Sequence, residues 1–417
     1  MNFRKFDARG FAHHLVAILF VLIFAIGGVG YIVVSHANTV GTNTGATNTS
    51  SSVTTASGSP CVKTAQETSV QNIDSQGRGV GASVSSSQSG TLRTDLARRH
   101  DFKLDGGVVH QVDPPKGWSP ITATAQELQS YGFPAKPTDP TALSEWKAAF
   151  ANYKGSGAPG VCETNGRHGL LNNINDANWA GGVLIANNYG QNQFTTATGG
   201  WDQSGFKATC GSSATYAAWT GIGGIAANAP GWNYIGGSST GGLLQAGTDV
   251  YGPTSNYLYA WYEAISTKYS FPGIAFTGSW PSVINPGDQV YSAVTYNTNN
   301  QSASFLVMDA TKGIGWGTAP MNTISYNNQA VSTNQFYDGT STDFISEAAT
   351  VNNKITPLAQ PYLGDTYFNY ATANGLTIHN YKSLKYTQLS GGSGHPAIDS
   401  TTFNGSGTWH NNWQRCI

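Results

Sequence analysis

Charged residues are scarce in this chain: Asp, Glu, Lys and Arg make up 10% of its 417 residues, and 21 basic against 22 acidic side chains leave a net charge of -1. A surface so balanced has no electrostatic pull on nucleic acid or on an anionic membrane. Cysteine is nearly as rare. The four present, Cys61, Cys162, Cys210 and Cys416, include no CxxC pair, which removes zinc-ribbon and dithiol redox chemistry. No P-loop, no GxGxxG after a strand and no HExxH occurs either, so nucleotide-dependent and zinc-peptidase readings have no support, and no cofactor or metal is expected. What the chain has in quantity is glycine, 51 residues, with many Ser, Thr and Asn and 12% aromatics, the texture of a secreted β protein.

Four cysteines allow three pairings. The expected one joins Cys61 to Cys162 and Cys210 to Cys416, which keeps one bridge on each side of a boundary near residue 165.

The chain opens with Arg4, Lys5 and Arg9 before a twenty-residue apolar run, Leu15 to Val34, long enough to cross a bilayer. Residues 1–37 are therefore a signal peptide or a signal anchor. Ser35-His36-Ala37 favours cleavage and the positive flank favours an N-in anchor, but both place the rest of the chain outside the cytoplasm or at the cell surface. That segment alone would touch membrane. Residues 38–91, Ser/Thr/Gly-rich with few large apolar groups, read as a flexible tether. Residues 92–165 carry two helical patterns, Thr124 to Tyr131 and Thr141 to Tyr153, the second with Leu143, Trp146, Phe150 and Tyr153 on one stripe. A small helical cover, docked over the following domain and cut near 154–160, is the expectation.

From residue 166 to 417 short alternating segments predominate, among them Trp179 to Ile185, Asn256 to Ile265, Gln289 to Tyr296, Ser304 to Met308 and Thr366 to Tyr370. This is the pattern of an all-β sandwich. Within it, Gln245, Gly247 and Asp249 fall on one face of a half-buried strand, Tyr257, Tyr259, Trp261 and Glu263 on one face of another, and Asp343, Ile345 and Glu347 on one face of a third. A carboxylate that draws a proton from water and an amide that donates to a developing oxyanion suffice for peptide hydrolysis, so Gln245 and Glu347 are the candidate pair. Taken alone, each is what an ordinary polar residue on a solvated strand looks like, and such residues need no function.

Competing readings exist. Gly237-Ser238-Ser239-Thr240-Gly241 fits GxSxG but runs into a strand where a nucleophile elbow needs a helix. His379, His395 and His410 have no neighbouring pattern that selects any of them as a base. Glu263 with Glu347 would suit a glycosidase in an aromatic groove, and a carbohydrate-binding sandwich without catalysis is the non-enzymatic alternative.

Asn178-Trp179-Ala180-Gly181, Ala218-Trp219-Thr220-Gly221-Ile222, Leu244-Gln245-Ala246-Gly247 with Asp249, Ala260-Trp261-Tyr262-Glu263, Gly287-Asp288 and Phe344-Ile345-Ser346-Glu347 follow one another in the order found in glutamic peptidases, the eqolisins. Over Asn178 to about Ala373 the chain resembles that family, and Tyr131-Gly132-Phe133-Pro134 is similar to the propeptide of its bacterial members. The resemblance implies a concanavalin-like sandwich of two packed antiparallel sheets and an acid-active endopeptidase made as a zymogen. It further implies a dyad of Gln245 and Glu347, with Trp219, Asp249, Trp261 and Glu263 lining the cleft; protein or peptide substrates and a monomeric state are expected. Gly223, Tyr259 and Phe344 depart from the family pattern.

Overall fold

By contacts the chain divides into a unit Met1–Val53 and a unit Thr54–Ile417. The computed structural model describes residues 61–416 apart from 82–83, 86–94, 105–106, 165–178, 186–193, 225–241, 252–257, 267, 270–271, 280–282, 327–328, 352–353, 363–364, 379–384, 388–398 and 404–407. The targeting segment and the first part of the tether lie outside the described residues. Among the described residues no helix is long and apolar enough to cross a membrane.

Two large sheets pack face to face, as the alternating sequence pattern requires. The front sheet runs Cys61–Thr64, Ala158–Thr164, Ile274–Gly278, Leu258–Ile265, Leu243–Tyr251, Thr215–Gly223, Ser341–Glu347, Trp179–Ile185, Lys385–Thr387, every neighbouring pair antiparallel. The back sheet runs Asp399–Phe403, Trp409–Trp413, Asp365–Ala373, Thr196–Asp202, Gln289–Asn297, Ser302–Asp309, Ile314–Gly317, Gly155–Ser156 and is antiparallel except for its last, parallel pair. Leu244, Ala246, Val250, Ala260 and Tyr262 from the front sheet meet Trp201, Val294, Phe305, Val307 and Phe368 from the back in one buried core. Tyr262 and Phe305 stack across it at 4.6 Å. The all-β sandwich is thus present, and its strands are more deeply buried than the expected half-buried alternation. All nine residues of Thr215–Gly223 and all eight of Leu258–Ile265 are buried, because both faces of the front sheet carry large side chains.

Both expected disulfides are formed, Cys61 to Cys162 and Cys210 to Cys416.

The N-terminal region differs from its sequence reading in two respects. Residues 61–73, placed in the tether by their polarity, are strands: Cys61–Thr64 belongs to the front sheet, and Gln66–Ile73 pairs with Ala97–Leu104, which pairs in turn with Gly107–Asp113. Charged side chains supply what apolar residues do not. Arg98 meets Asp113 at 3.0 Å, Arg99 meets Asp101 at 3.1 Å, and His100 lies between Glu67 and Asp113.

The second difference concerns the cover. The helices are where their signals put them: Ala125–Ser130 begins with a Thr124/Glu127 capping box, and Pro140–Phe150 is capped by Asp139 with Pro at its first turn. Their apolar stripe, however, packs on the outer face of the back sheet, where Trp146 and Phe150 join Tyr291, Leu306, Met308 and Tyr370. Phe150 meets Tyr291 edge-on at 5.0 Å. The helices therefore stand on the opposite side of the sandwich from Gln245. The stretch expected to be a cleavable link is itself built into both sheets, Gly155–Ser156 in the back and Ala158–Thr164 in the front, and the Gln111 side chain accepts from the Gly160 amide at 2.9 Å.

Candidate active site

The outer face of the front sheet carries three rows of side chains, set by strand register. One row reads Glu263, Gln245, Gly221, Asp343, Val183; the next Trp261, Gly247, Trp219, Ile345, Gly181; the third Tyr259, Asp249, Ala217, Glu347, Trp179. Each of the six expected site residues lies on this face, as period-2 alternation predicts. All are buried, none with more than 1% of its surface exposed.

The first row brings an amide together with two carboxylates. Gln245 Nε2 donates to Glu263 Oε2 at 3.0 Å on one side. On the other side Gly221 separates it from Asp343, a spacing of two strands, about 10 Å between Cα atoms. Gln245 Oε1 and Asp343 Oδ1 are buried and accept no hydrogen bond. The other Asp343 oxygen, Oδ2, accepts from Ser341 Oγ over a long 3.4 Å. Burial pushes the Asp343 carboxyl well above its usual range, and Asp338 nearby pushes it further, against the lowering effect of Ser341.

Glycine at 221 is a packing requirement. A Cβ there would stand 2.9 Å from Cζ3 of Trp219 and 3.0 Å from Cδ1 of Leu243, closer than carbon atoms approach. Gly247, between the two tryptophans of the middle row, is bound by the same constraint, since its Cβ would meet Trp219 Cβ at 2.6 Å.

The third row repeats the arrangement with different donors. Tyr259 Oη donates to Asp249 Oδ2 at 2.8 Å, and Trp219 Nε1 donates to Glu347 Oε2 at 2.8 Å. Trp179 meets Trp219 edge-on at 4.8 Å, which orients the indole toward that carboxylate.

The strands that carry these groups are tied to the back sheet. Ser346 Oγ accepts from Asn411 Nδ2 of the back sheet at 2.7 Å, and from Tyr216 Oη of the adjacent front strand at 2.6 Å, holding the Asp343 strand, while Ser292 Oγ of the back sheet donates to the Ala246 carbonyl at 2.7 Å beneath Gln245. Fixed backbones of this kind hold a reacting constellation in place better than loops do.

The expected pairing of Gln245 with Glu347 does not occur. Glu347 is opposite Ala217 and Gln245 opposite Gly221, four residues apart along the intervening strand, which puts their Cα atoms about 16 Å apart. Asp343 is the carboxylate that this register places across from Gln245. Alternation alone puts Asp343 on the correct face, and the missing signal is register, which a single strand does not contain. Glu263 and Glu347, the candidate glycosidase pair, are farther apart still, about 20 Å between Cα atoms, beyond the roughly 5–9.5 Å between the carboxyl groups of such enzymes.

The remaining candidates lie elsewhere. Residues 237–241, His379 and His395 are outside the described residues. His410 is on the back sheet, opposite Tyr367. Asp288 serves a turn: it accepts from the Asn285 amide at 2.6 Å and pairs with Lys312. Among the described residues no group of His, Cys, Asp and Glu is arranged to hold a metal ion.

A family model described as the peptidase A4 family, which comprises the eqolisins, matches residues 177–395, the span that contains all three rows. No curated protein matches the chain. Among solved structures, full-length tailspike protein 2 of an Escherichia coli O157:H7 bacteriophage aligns at 9% identity and a TM-score of 0.24, over 56% of this chain and 24% of its own. The enzymatically active domain of a bacteriophage tailspike protein 2 aligns at the same identity and score over 58% and 30%. The chain spans less than a third of either.

Proposed function

Because the chain belongs to the peptidase A4 family, we propose that it is an endopeptidase that cleaves protein or peptide substrates by adding water to the scissile carbonyl between Gln245 and Asp343. The observation that carries this reading is the first row, in which two buried acceptors, Gln245 Oε1 and Asp343 Oδ1, flank a residue without a side chain and accept nothing from the protein. A water molecule that donates one hydrogen to each would satisfy both acceptors, and buried polar groups demand such satisfaction. The same contact would aim its oxygen.

In the reaction that follows, ionised Asp343 takes a proton from the water while the water oxygen bonds to the carbonyl carbon. The carbonyl π pair moves onto its oxygen, and the second N–H of the Gln245 amide donates to that oxyanion. When the tetrahedral intermediate collapses, the C–N bond breaks and the proton held by Asp343 passes to the leaving nitrogen. A new carboxyl terminus and a new amino terminus result. A base whose carboxyl group is raised toward the working pH is better suited to this task than one ionised far below it.

Trp219, Trp261 and Trp179, all buried, would form the apolar floor once this face opens to a peptide, and Asp249 and Glu347 mark the far end of the same face. Secretion, activity in acid and a monomeric state belong to this proposal as well.

The test is to incubate the full chain with a denatured protein and with soluble polysaccharides at acidic and neutral pH, beside a Gln245→Ala variant. New peptides made by the parent and not by the variant are the expected result. Release of sugar, or polysaccharide binding without hydrolysis, refutes the reading.

A further inference from the structure

Glu263 takes no part in the chemistry just described, yet it is the hydrogen-bond partner of the Gln245 side chain. We infer that Glu263 is a positioning residue that fixes which end of the Gln245 amide faces the reacting atoms. This rests on the peptidase reading and deepens it.

An amide has two ends of similar shape and opposite function, an acceptor oxygen and a donor nitrogen. The mechanism needs the oxygen toward water and one N–H toward the oxyanion, an arrangement that a half-turn about the last side-chain bond would spoil. Glu263 Oε2 accepts from Nε2, and an acceptor held at that position can face only the NH2 end. Glu263 is directly opposite Gln245 on the adjacent antiparallel strand, and Nε2 reaches its Oε2 at 3.0 Å. Both residues are sealed from solvent, Gln245 at 0% and Glu263 at 1% exposure. A turned amide would therefore set its oxygen against a buried carboxylate oxygen at hydrogen-bond distance, an arrangement that low-dielectric surroundings make costly. The lock also leaves the second amide hydrogen free, because a single carboxylate oxygen engages only the first.

The geometry distinguishes this role from that of Asp249 in the third row, whose donor is a tyrosine hydroxyl. A hydroxyl has no second end to misplace. Only in the first row does a carboxylate decide between two orientations of a group that the reaction uses.

The experiment is a double-mutant cycle on the full chain with a peptide substrate, reading kcat and KM separately, with folding checked by circular dichroism. Glu263→Gln preserves size but offers either an oxygen or an NH2 to Gln245, so orientation is lost while packing is kept. The expected result is a fall in kcat of at least about tenfold with KM changed by less than about twofold, and no further loss when Glu263→Gln is added to Gln245→Ala. Glu263→Asp, still a carboxyl group, should recover part of the lost kcat. Normal kcat in Glu263→Gln beside an inactive Gln245→Ala overturns the positioning role alone. An equal loss from Glu263→Gln in both backgrounds overturns it as well, since Glu263 would then act independently of Gln245. Full activity in Gln245→Ala overturns the peptidase site and this inference together. If Glu263→Gln does not fold, the cycle is run with Glu263→Asp, whose loss of kcat should likewise vanish in the Gln245→Ala background.

Discussion

Replacing Asp343 with asparagine should lower turnover and raise stability at once, and the pH at which each change appears follows from where the residue sits. The side chain is wholly buried, one oxygen accepts nothing, and the donor to the other is 3.4 Å away, so the ionised form has lost its hydration with little in return. Its carboxyl is accordingly raised well above the reference value of 3.8. For an acid whose folded value is raised, stability is highest below the unfolded value and falls as pH climbs toward the folded one, by about 1.4 kcal/mol for each unit of displacement. That cost is absent below the unfolded value and accumulates as pH rises from there toward the folded one. A carboxamide at this position cannot ionise, so the Asp343→Asn protein should unfold at a higher temperature than the parent near neutrality, with the gap closing below about pH 4. Loss of a general base costs roughly 10²–10⁴ in rate, about 3–5 kcal/mol of transition-state stabilisation. The assay pairs cleavage of a fluorogenic peptide with thermal unfolding by circular dichroism, from about pH 3 to about pH 8. Near-normal turnover would refute the assignment of Asp343 as base. A stability difference independent of pH would refute the account of its burial.

Glu347→Gln keeps an acceptor for the Trp219 indole, now 2.8 Å away, and should cost less than about tenfold in kcat, far less than Asp343→Asn, in the same peptide assay. Gly221→Ala drives a methyl group into Trp219 and Leu243 and should cost about 1–3 kcal/mol in denaturant unfolding, with a loss of kcat as Gln245 and Asp343 are pushed apart. His100, though burial opposes its charge, is raised by its bonds to Asp113 and Glu67. Its contribution is complete below its unfolded value of 6.5 and is lost as pH rises through the folded one. Amide hydrogen exchange in Ala97–Leu104, corrected for the intrinsic pH dependence, should quicken above that point in the parent and not in His100→Gln.

The sandwich is legible in the sequence because its strands announce themselves locally. Trp179–Ile185 has the predicted bounds, and the faces assigned to Gln245, Glu263 and Glu347 are the observed ones, since alternation needs no information from outside the strand. What local pattern leaves out is which rung of one strand meets which rung of another. Asp343 and Glu347 share a face, and four residues of register decide that the former stands across Gly221 from Gln245. The strands at Cys61–Ile73 escape a sequence reading for another reason: their partner, Ala97–Leu104, reads ARRHDFKL, a charged sequence that looks solvated until its ion pairs are seen together. The helices are visible from their caps, but a stripe of Trp146 and Phe150 says only that something is covered.

The strand Ala158–Thr164 also protects the sandwich from its own kind. Beside it the front sheet ends in Cys61–Thr64, four residues long and bearing Lys63, a short charged border that offers a neighbouring molecule little to pair with. A chain shortened to begin at Asn165 would lose both strands and end that side of the sheet at Ile274–Gly278, with Ile274, Ala275 and Phe276 along a bare row of amides and carbonyls. Such a border invites strand-to-strand joining between molecules, so removal of the N-terminal region is expected to yield aggregates before it yields an unmasked enzyme.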